Sequence, residues 1–409
     1  MGNRPFFITW QSQDSDHFFQ YEKANGATFI LKDGKKIMDL SSISYHAAFG
    51  SNNPEIIKAI AKQSVRFSVS NPKAMFSLKD EVSFELLEHL KKKTGKILYT
   101  VSGAESVENA LKLARYTTKK KIILARERSY HGASLGALSV TGDWRNKAHA
   151  TPKDWTVRIP EPSEPNAIEK TRAIIKKVGP DKIAAFCLET ITGGNGVIIA
   201  SKEWWQGIQK ICDEYGILLI LDEVVCGFGR TGKNFGFHHY PIKPDMVCMA
   251  KAITGGHIPF GAVWVSEKIS KTFDHEVFSF GLTNYAHPLG LAATKKVLQI
   301  LERPKFKQHL KALEIVFKKY MKSFAKFQCV KEVRQVGLLA AVELKEKDDY
   351  FFKLLKKEIF VSQIGNSFIF CPAYILSPKQ LELGLKKFES LLMEIEHEFK
   401  GIQKRNRSA

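Results

Sequence analysis

The chain has 409 residues, of which 44% are hydrophobic and 25% are charged, the ordinary mix of a globular protein. This composition excludes disorder as the main state, and the length permits two domains, or one large domain with a smaller one. The formal net charge of +20 comes from lysines scattered in short clusters without a nucleic-acid-binding motif, so we expect no specific nucleic-acid partner.

The N-terminal residues and the cysteines indicate the compartment. The first residues lack the apolar stretch of a secretory signal, and no apolar run approaches the ~20 residues of a membrane span. The six cysteines form no CxxC pair, which predicts buried free thiols in a reducing compartment and neither a disulfide framework nor a metal site. We therefore expect a soluble, cytoplasmic protein that does not bind membranes or metals.

The centre of the chain alternates short apolar runs with helical stretches. The runs are rich in Ile, Val and Leu, as strands of a parallel sheet buried on both faces are. They are Ile122–Ala125, Ile183–Leu188, Ile217–Leu221, Met246–Ala250 and Ala262–Val265. A helix is predicted over Lys202–Tyr215, with Ser201 as its N-cap and Gly216 after its end. This order predicts an α/β fold with a mostly parallel central sheet covered by helices.

The C-terminal third has a different pattern. It predicts a long basic helix over Phe306–Phe327, a strand over Gly337–Leu344 and a final helix that begins at Ser377-Pro378. The apolar stripe of that final helix, at helical spacing, is expected to be packing. We expect a large domain over residues 51–300 and a smaller α+β domain made of the N-terminal segment 1–50 and residues 301–409.

Three features follow predicted strands. The turn at Gly103 and Ala104 precedes a predicted helix, and the free backbone N–H groups at a helix start can bind an anion. A plain strand-to-helix turn is the alternative. Asp222 ends an apolar run, where an acid can hold a cationic ring nitrogen; a solvated acidic loop is the alternative. Lys251 ends another run, and burial there would favour the neutral, nucleophilic amine that Schiff-base chemistry requires.

These pieces occur in one order along the chain, and that order resembles the class III aminotransferases, pyridoxal-phosphate (PLP) enzymes of fold type I. The resemblance covers about residues 28 to 300. Its segments include LKDGKKIMDL, SGAESVENALKLAR, SYHGASLGALSVTGD, ILLILDEVVCGFGRTGK, PDMVCMAKAITGG and GLTNYAHPLGLAA. The stretch DEVVCGFGRTGK and the opening FFITWQSQ are most similar to the ω-amino acid–pyruvate and taurine–pyruvate branch.

The resemblance implies roles for the residues that handle the cofactor ring. Lys251 would form the Schiff base with PLP and move the proton, and Asp222 would keep the ring nitrogen protonated. Tyr130 would stack on one face of the ring, and Val224 would lie on the other.

The resemblance also implies how the phosphate is held. The N–H groups of Gly103 and Ala104 would bind it, and Thr283 would reach the phosphate of the neighbouring subunit's cofactor. Glu189 would lie near the cofactor, in a less defined role. The shared phosphate site implies a homodimer with shared active sites.

The substrate residues depart from the family pattern. Ser362 stands where relatives often carry an arginine that binds the substrate carboxylate, and Arg334 is a candidate replacement that relatives use structurally. Near Gly194 a gating glutamate of ornithine- and γ-aminobutyrate-type enzymes is missing, which disfavours those activities. The simpler expectation is an amine whose far end is apolar or neutral, with Trp10 and Tyr45 as pocket walls.

The function predicted from the sequence is a PLP-dependent aminotransferase. It would move an amino group from a primary, terminal amine to a keto acid such as pyruvate by a ping-pong mechanism. An aminomutase, decarboxylase or epimerase on the same fold is the alternative. A basic binding module is a third possibility, which the retention of Lys251, Asp222 and Tyr130 disfavours.

Overall fold

The computed structural model describes residues 5–408, with side chains up to residue 401. The strands are β1 Tyr21–Asn25, β2 Thr28–Leu31, β3 Lys36–Asp39, β4 Lys96–Thr100, β5 Ile122–Arg126, β6 Thr156–Ile159, β7 Ile183–Glu189, β8 Leu218–Asp222, β9 Met246–Met249, β10 Gly261–Val265, β11 Val330–Val336, β12 Leu339–Leu344, β13 Ile359–Phe360, β14 Ser362–Ile364 and β15 Ser367–Phe370. The helices are α1 Ser42–Tyr45, α2 Pro54–Arg66, α3 Ser77–His89, α4 Gly103–Thr118, α5 Leu135–Val140, α6 Trp144–Lys147, α7 Ala167–Val178, α8 Lys202–Tyr215, α9 Glu267–Ser270, α10 Pro288–Glu302, α11 Pro304–Phe324, α12 Phe351–Lys356 and α13 Pro378–Ser408.

The central sheet has seven strands in the order β4-β10-β9-β8-β7-β5-β6. The pairs β5–β6, β5–β7, β7–β8 and β8–β9 are parallel, which confirms the predicted α/β fold with a mostly parallel sheet. The run Ala262–Val265, expected among the parallel strands, is instead antiparallel to both β9 and β4. The reason is the short connection after β9, because residues 250–260 are too few for the crossover of about a dozen or more that parallel neighbours need.

Helices cover both faces of this sheet. Along β8, Leu219 and Leu221 pack in one core cluster with Trp205 of α8, whereas Ile220 packs in a second cluster with Leu111 of α4. Neighbouring strand residues thus point to opposite faces, and both faces are apolar. The two central strands β7 and β8 end at the polar residues Glu189 and Asp222.

Helix α8 has the ends that its sequence predicts. The Ser201 hydroxyl accepts a hydrogen bond from the Trp204 N–H at 3.1 Å, so it satisfies one of the N–H groups that lack an intrahelical partner. Gly216 follows the last turn with φ 63° and donates its N–H to the Cys212 carbonyl. A glycine adopts this left-handed conformation without steric cost, and the helix ends there.

Two four-stranded sheets flank the central one, in the orders β1-β2-β3-β13 and β11-β12-β15-β14. Strand β13 pairs in parallel with β3 through Ile359 and Met38, so strands from residues 21–39 and 359–360 form one sheet together. This arrangement confirms the expected α+β part built from both ends of the chain. The exact domain limits at residues 50 and 300 stay a prediction.

The C-terminal elements match the sequence pattern with small shifts. The basic helix is α11, and the predicted strand begins at Leu339 because Gly337, at φ 55°, forms the turn before it. Ser377 and Gln380 cap α13 reciprocally, with N–H to side-chain oxygen distances of 2.9 and 3.2 Å. The apolar stripe of α13 is buried, as expected of packing: Leu381, Leu385, Phe388, Leu392 and Ile395.

The six cysteines are free and buried, as the sequence predicts. Within residues 5–408, each helix is too short or too polar to cross a membrane.

Candidate active site

Three charged side chains meet at the carboxyl edge of the central sheet. Glu189 and Asp222 are the last residues of β7 and β8 and are paired in register, and Lys251 follows the end of β9 by two residues. Ligands of open α/β sheets bind at this edge. A cavity of about 1650 Å³ opens there.

The cavity brings together ten of the twelve residues that the sequence offered for cofactor or substrate, all except Thr283 and Arg334. The predicted cofactor residues that line it are Gly103, Ala104, Tyr130, Glu189, Asp222, Val224 and Lys251. The predicted substrate residues Trp10, Tyr45 and Ser362 line it too. Thr283 does not line the cavity of the described chain; it is exposed at the surface.

Asp222 is held at both of its carboxylate oxygens. Its Oδ2 lies 2.8 Å from Nδ1 of His131, and its Oδ1 accepts the Val224 N–H at 3.0 Å. A carboxylate only accepts hydrogen bonds when ionised, so the geometry assigns the His131 proton to Nδ1. The sequence analysis missed His131, although it directly follows Tyr130 in the segment SYHG.

Lys251 has a strained backbone and a buried amine. Its φ of 52° is in the left-handed region, which is uncommon for a residue with a side chain. Burial lowers the pKa of Lys251, and the negative charges of Asp222 and Glu189 partly oppose that shift. The Nζ atom is 6.0 Å from the ring centroid of Tyr45, on the substrate side of the cavity. The site thus favours the neutral amine that the sequence predicted.

The start of helix α4 forms an anion site. Ser102 is its N-cap and accepts the Glu105 N–H at 3.1 Å, while Gly103 and Ala104 line the cavity. A Cβ on Gly103 would lie 3.0 Å from both methyl groups of Val224, so only glycine keeps this approach open. Backbone N–H groups at a helix start, with the positive end of the helix dipole, bind phosphate well.

Glu189 fixes the loop that carries Tyr130. One carboxylate oxygen accepts the Tyr130 N–H at 3.1 Å, and the other accepts the Gly193 N–H at 2.7 Å. Burial raises the pKa of Glu189, and the hydrogen bond from the Gly193 N–H opposes that rise only in part. Its position defines the role that the sequence left open, because it sets where the Tyr130 ring lies.

The substrate side is shaped by a turn with unusual backbone angles. Residues 42–45 all have positive φ, between 47° and 73°, and the Asp39 carboxylate accepts the N–H groups of Ser41 and Ile43 at 2.7 Å each. Burial raises the pKa of Asp39 to about 6. The turn presents Tyr45 to the cavity, where Ser362 forms a hydrogen bond with its side chain. Trp10 packs edge-on against Tyr130, with ring centroids 6.0 Å apart.

The arginines near the cavity differ from the expectation. Arg334, the candidate replacement, donates to the Gly196 carbonyl and to Glu343 at 2.6 Å each, and it also pairs with Glu332. These partners occupy its guanidinium, so Arg334 is a structural residue. Two other arginines line the cavity, Arg128 and Arg145, and the sequence analysis missed both. Arg145 comes two residues after the segment SYHGASLGALSVTGD, which was the available signal.

A family comparison agrees with this geometry. Residues 10–392 match the model of the family "Aminotransferase class-III". The chain belongs to the class III aminotransferases. It is 30% identical to γ-aminobutyrate transaminase 1, mitochondrial, of Oryza sativa subsp. japonica, over 92% of this chain and 81% of that protein.

Solved structures of aminotransferases have the same fold. The taurine:2-oxoglutarate aminotransferase of Bifidobacterium kashiwanohense, in complex with PLP and glutamate, superimposes with a TM-score of 0.90 at 30% identity, covering 96% of each chain. The aminotransferase of Vibrio fluvialis in its PMP-bound form has a TM-score of 0.89 at 25% identity, also over 96% of each chain.

Class III aminotransferases depend on PLP, and the residues of this cavity fit that cofactor. Asp222 offers an anchored carboxylate for a protonated ring nitrogen, and the start of α4 offers N–H groups for a phosphate. Lys251 offers an amine of lowered pKa in the same cavity. The missing Cβ of Gly103 lets Val224 pack directly against that helix start. This aminotransferase therefore uses PLP.

Proposed function

We propose that this class III aminotransferase takes its amino group from a primary amine at the end of the donor molecule and passes it to a keto acid such as pyruvate by a ping-pong mechanism. The observation that carries the proposal is the meeting of Lys251, Asp222 and the start of α4 on one cavity. The related proteins support the donor class, because their names include γ-aminobutyrate and taurine. Both of those molecules carry a primary amine at the end opposite their acid group.

Asp222 keeps the ring nitrogen of PLP protonated in this proposal. Bound PLP supplies an electron sink for the charge that develops when the substrate carbon loses its proton. The sink is effective only while the nitrogen stays positive, and an ionised Asp222 stabilises that charge. His131 holds the carboxylate in place through its 2.8 Å hydrogen bond, so it acts as a positioning residue.

Lys251 moves the proton. Burial lowers the pKa of its amine, which favours the neutral form that can take a proton from the substrate carbon and later return it to a second atom in the same site. Because the amine is tethered beside the substrate, it acts without the entropy cost of bringing in a free base. Tyr130, whose N–H is held by Glu189, would cover one face of the cofactor ring.

The site lacks a side chain at Gly194, where a gating carboxylate was expected in ornithine- and γ-aminobutyrate-type enzymes. A Cβ there would lie 3.4 Å from Ile364 and 3.7 Å from the Tyr45 ring, in ordinary contact with both. The curated relatives named for γ-aminobutyrate are 30% identical or less, which leaves room for another donor. We propose a donor other than γ-aminobutyrate or ornithine.

The assembly and compartment belong to the same proposal. We expect a homodimer in which Thr283 of one subunit serves the phosphate in the other subunit, since Thr283 is exposed and away from its own cavity. Six buried free thiols support a reducing compartment, and we propose the cytoplasm. The partners are small molecules, an amine and a keto acid.

The test is a half-reaction in the absence of any keto acid. The purified holoenzyme is mixed with a panel of terminal amines, and conversion of bound PLP to pyridoxamine phosphate is followed by absorbance and by mass. We expect stoichiometric conversion, which a keto acid then reverses. If amines are consumed while PLP stays unconverted, the aminomutase, decarboxylase or epimerase alternative is correct. The variant Lys251→Ala serves as the control without turnover.

A further inference from the structure

Each catalytic cycle must accommodate an acid group, because the amino group passes to a keto acid. Ser362 provides no charge at the position where the family often has its arginine. Burying a carboxylate without a charged or well-bonded partner costs several kcal/mol, so another group must meet it. The cavity contains such a group, Arg145, which packs on the Tyr130 ring.

Arg145 is packed into the cavity wall by three aromatic rings. The centre of its guanidinium lies 4.2 Å from the Tyr130 ring, 5.1 Å from Trp10 and 5.4 Å from Trp144. Its side chain is 14% exposed, and the residue lines the cavity. Stacking uses the faces of a guanidinium and leaves its N–H edges available for a planar acid group.

The hydrogen bonds of Arg145 leave most of its donors free. Nη1 donates to Asp143 at 2.8 Å, and Asp143 is itself fixed by the Arg145 N–H at 3.0 Å and by Asn195 at 3.1 Å. The buried Nε has no acceptor, and Nη2 makes no hydrogen bond within the part of the chain that the structure describes. A guanidinium carries five N–H donors, so this one can still bind an acid group.

The other cations of the cavity are less suited. Burial lowers the pKa of Lys251, which disfavours its charged form, and this amine is the proposed proton carrier. Arg128 is exposed, and its Nη2 donates to the Asn195 carbonyl. Lys347 is exposed and makes no ion pair within the part of the chain that the structure describes, whereas the Arg145 side chain is 14% exposed. The influence of Arg145 reaches the substrate side, because its charge partly offsets the rise in the pKa of Tyr45 that burial causes.

We infer that Arg145 binds the acid group of the substrates, a carboxylate on the keto acid and a carboxylate or sulfonate on the donor. The inference rests on the proposed function and revises the expectation of a donor with a neutral far end. A ping-pong site receives both substrates in turn, so one cation at one wall can serve both. Trp10 and Trp144 hold the guanidinium in place, and the acid group then sets the distance of the reacting carbon from Lys251.

The experiment measures each half-reaction of the holoenzyme separately, in wild type, Arg145→Gln and Arg145→Lys, with Arg128→Gln as the matched control. The donors are an ω-amino acid, an ω-amino sulfonate and an alkyl amine of the same length. The acceptors are pyruvate and a neutral aldehyde. Glutarate, which carries no amine or keto group, serves as a non-reacting ligand whose binding is measured by calorimetry.

We expect Arg145→Gln to lower kcat/KM for each acid substrate on the order of 10- to 100-fold, the range for a hydrogen bond to a charged group. The alkyl amine and the aldehyde should change little, glutarate binding should weaken by a similar factor, and Arg145→Lys should fall in between. The control Arg128→Gln should keep the wild-type ratio of acid to neutral substrates. A loss in one half-reaction alone would show whether the keto acid or the donor supplies the bound anion.

Two results would overturn the inference. One is an equal loss for neutral and acid substrates, which would make Arg145 a support for Tyr130 only. The other is unchanged glutarate binding in Arg145→Gln. Failure of the proposed function is a different outcome, in which wild type converts no PLP with any amine, whatever the glutarate affinity.

Discussion

Lys251 and Asp222 lie at the same sheet edge in different surroundings. Burial lowers the pKa of Lys251, which disfavours the charged form of its amine. Asp222 is buried, and its two carboxylate oxygens are bound by His131 and by the Val224 N–H. One edge of one sheet therefore places an amine of lowered pKa and a fixed carboxylate in one cavity, and the proposed proton transfer at a substrate carbon uses both.

The lowered pKa of Lys251 predicts how the apoenzyme takes up PLP. Only a neutral amine attacks the cofactor aldehyde, and an exposed lysine becomes neutral near pH 10.4. Because burial lowers the pKa of Lys251, the loading rate should rise with pH and reach its midpoint below that value. Stopped-flow loading across pH measures this midpoint. A midpoint at the ordinary lysine value would contradict the burial argument, and Lys251→Ala gives the background of other lysines.

The residues that the sequence predicted and those it missed differ in where they lie on the chain. Asp222 and Lys251 follow apolar runs, so strand periodicity alone places them at the sheet edge. His131 lies in a loop and Arg145 in the short helix α6, and distant residues place both in the site: His131 meets Asp222 across 91 positions, and Arg145 packs on Tyr130 and Trp10. Local periodicity carries no information about such a contact.

At the scale of elements, the start of α4 and the segment after β8 pack closely against each other. The methyl groups of Val224 pack against the backbone of Gly103, whose missing Cβ allows that distance. The same segment carries Asp222 at the other end of the ring site. Direct packing of a helix start against the segment after a strand thus fixes the spacing between Gly103 and Asp222, the residues that we propose for the phosphate and the ring nitrogen.

The substitution Gly103→Ala tests this packing. A Cβ there would meet Val224 at 3.0 Å, closer than most such contacts. Relieving this overlap costs roughly 1–3 kcal/mol, and we expect it to appear as weaker retention of PLP in dialysis against buffer. Gly281→Ala is the matched control, because a Cβ there meets no atom within 4 Å. Equal retention in the two variants would refute the role of this close approach.

Pairing direction was the part of the fold least visible in the sequence. The run that became β10 is as apolar as its neighbours in the sheet, because both faces of a central strand are buried whether it runs parallel or antiparallel. Only the short connection from β9 decides its direction. In contrast, the ends of α8 and α13 followed from their caps, Ser201, Gly216, Ser377 and Gln380, since those interactions are local.

At the scale of the whole molecule, the cavity draws on all three sheets. The central sheet supplies Asp222 and Lys251, whereas Tyr45 and Ser362 come from segments attached to the two smaller sheets. Motion of the smaller sheets relative to the central one would move the substrate wall and leave the cofactor wall unchanged. Thr283 is the one predicted cofactor residue outside this cavity.

In the proposed homodimer, Thr283 would contact the phosphate of the PLP bound to the neighbouring subunit. We expect Thr283→Ala to weaken PLP retention while donor preference stays as in wild type, because the hydroxyl would contact only the phosphate. The neighbouring residue Asn284 is exposed as well, so Asn284→Ala is the control. Analytical ultracentrifugation with activity at matched dilution tests the assembly. A monomer with full activity would contradict the shared site.

The most direct test of the central claim locates the covalent bond to the cofactor. Borohydride reduction of the holoenzyme fixes PLP to the lysine that holds it, and peptide mapping by mass spectrometry then identifies that lysine. The account predicts one labelled peptide, the one that contains Lys251, and no label there when an amine donor has first converted the cofactor to pyridoxamine phosphate. A label on any other lysine would contradict the assignment of this cavity as the active site.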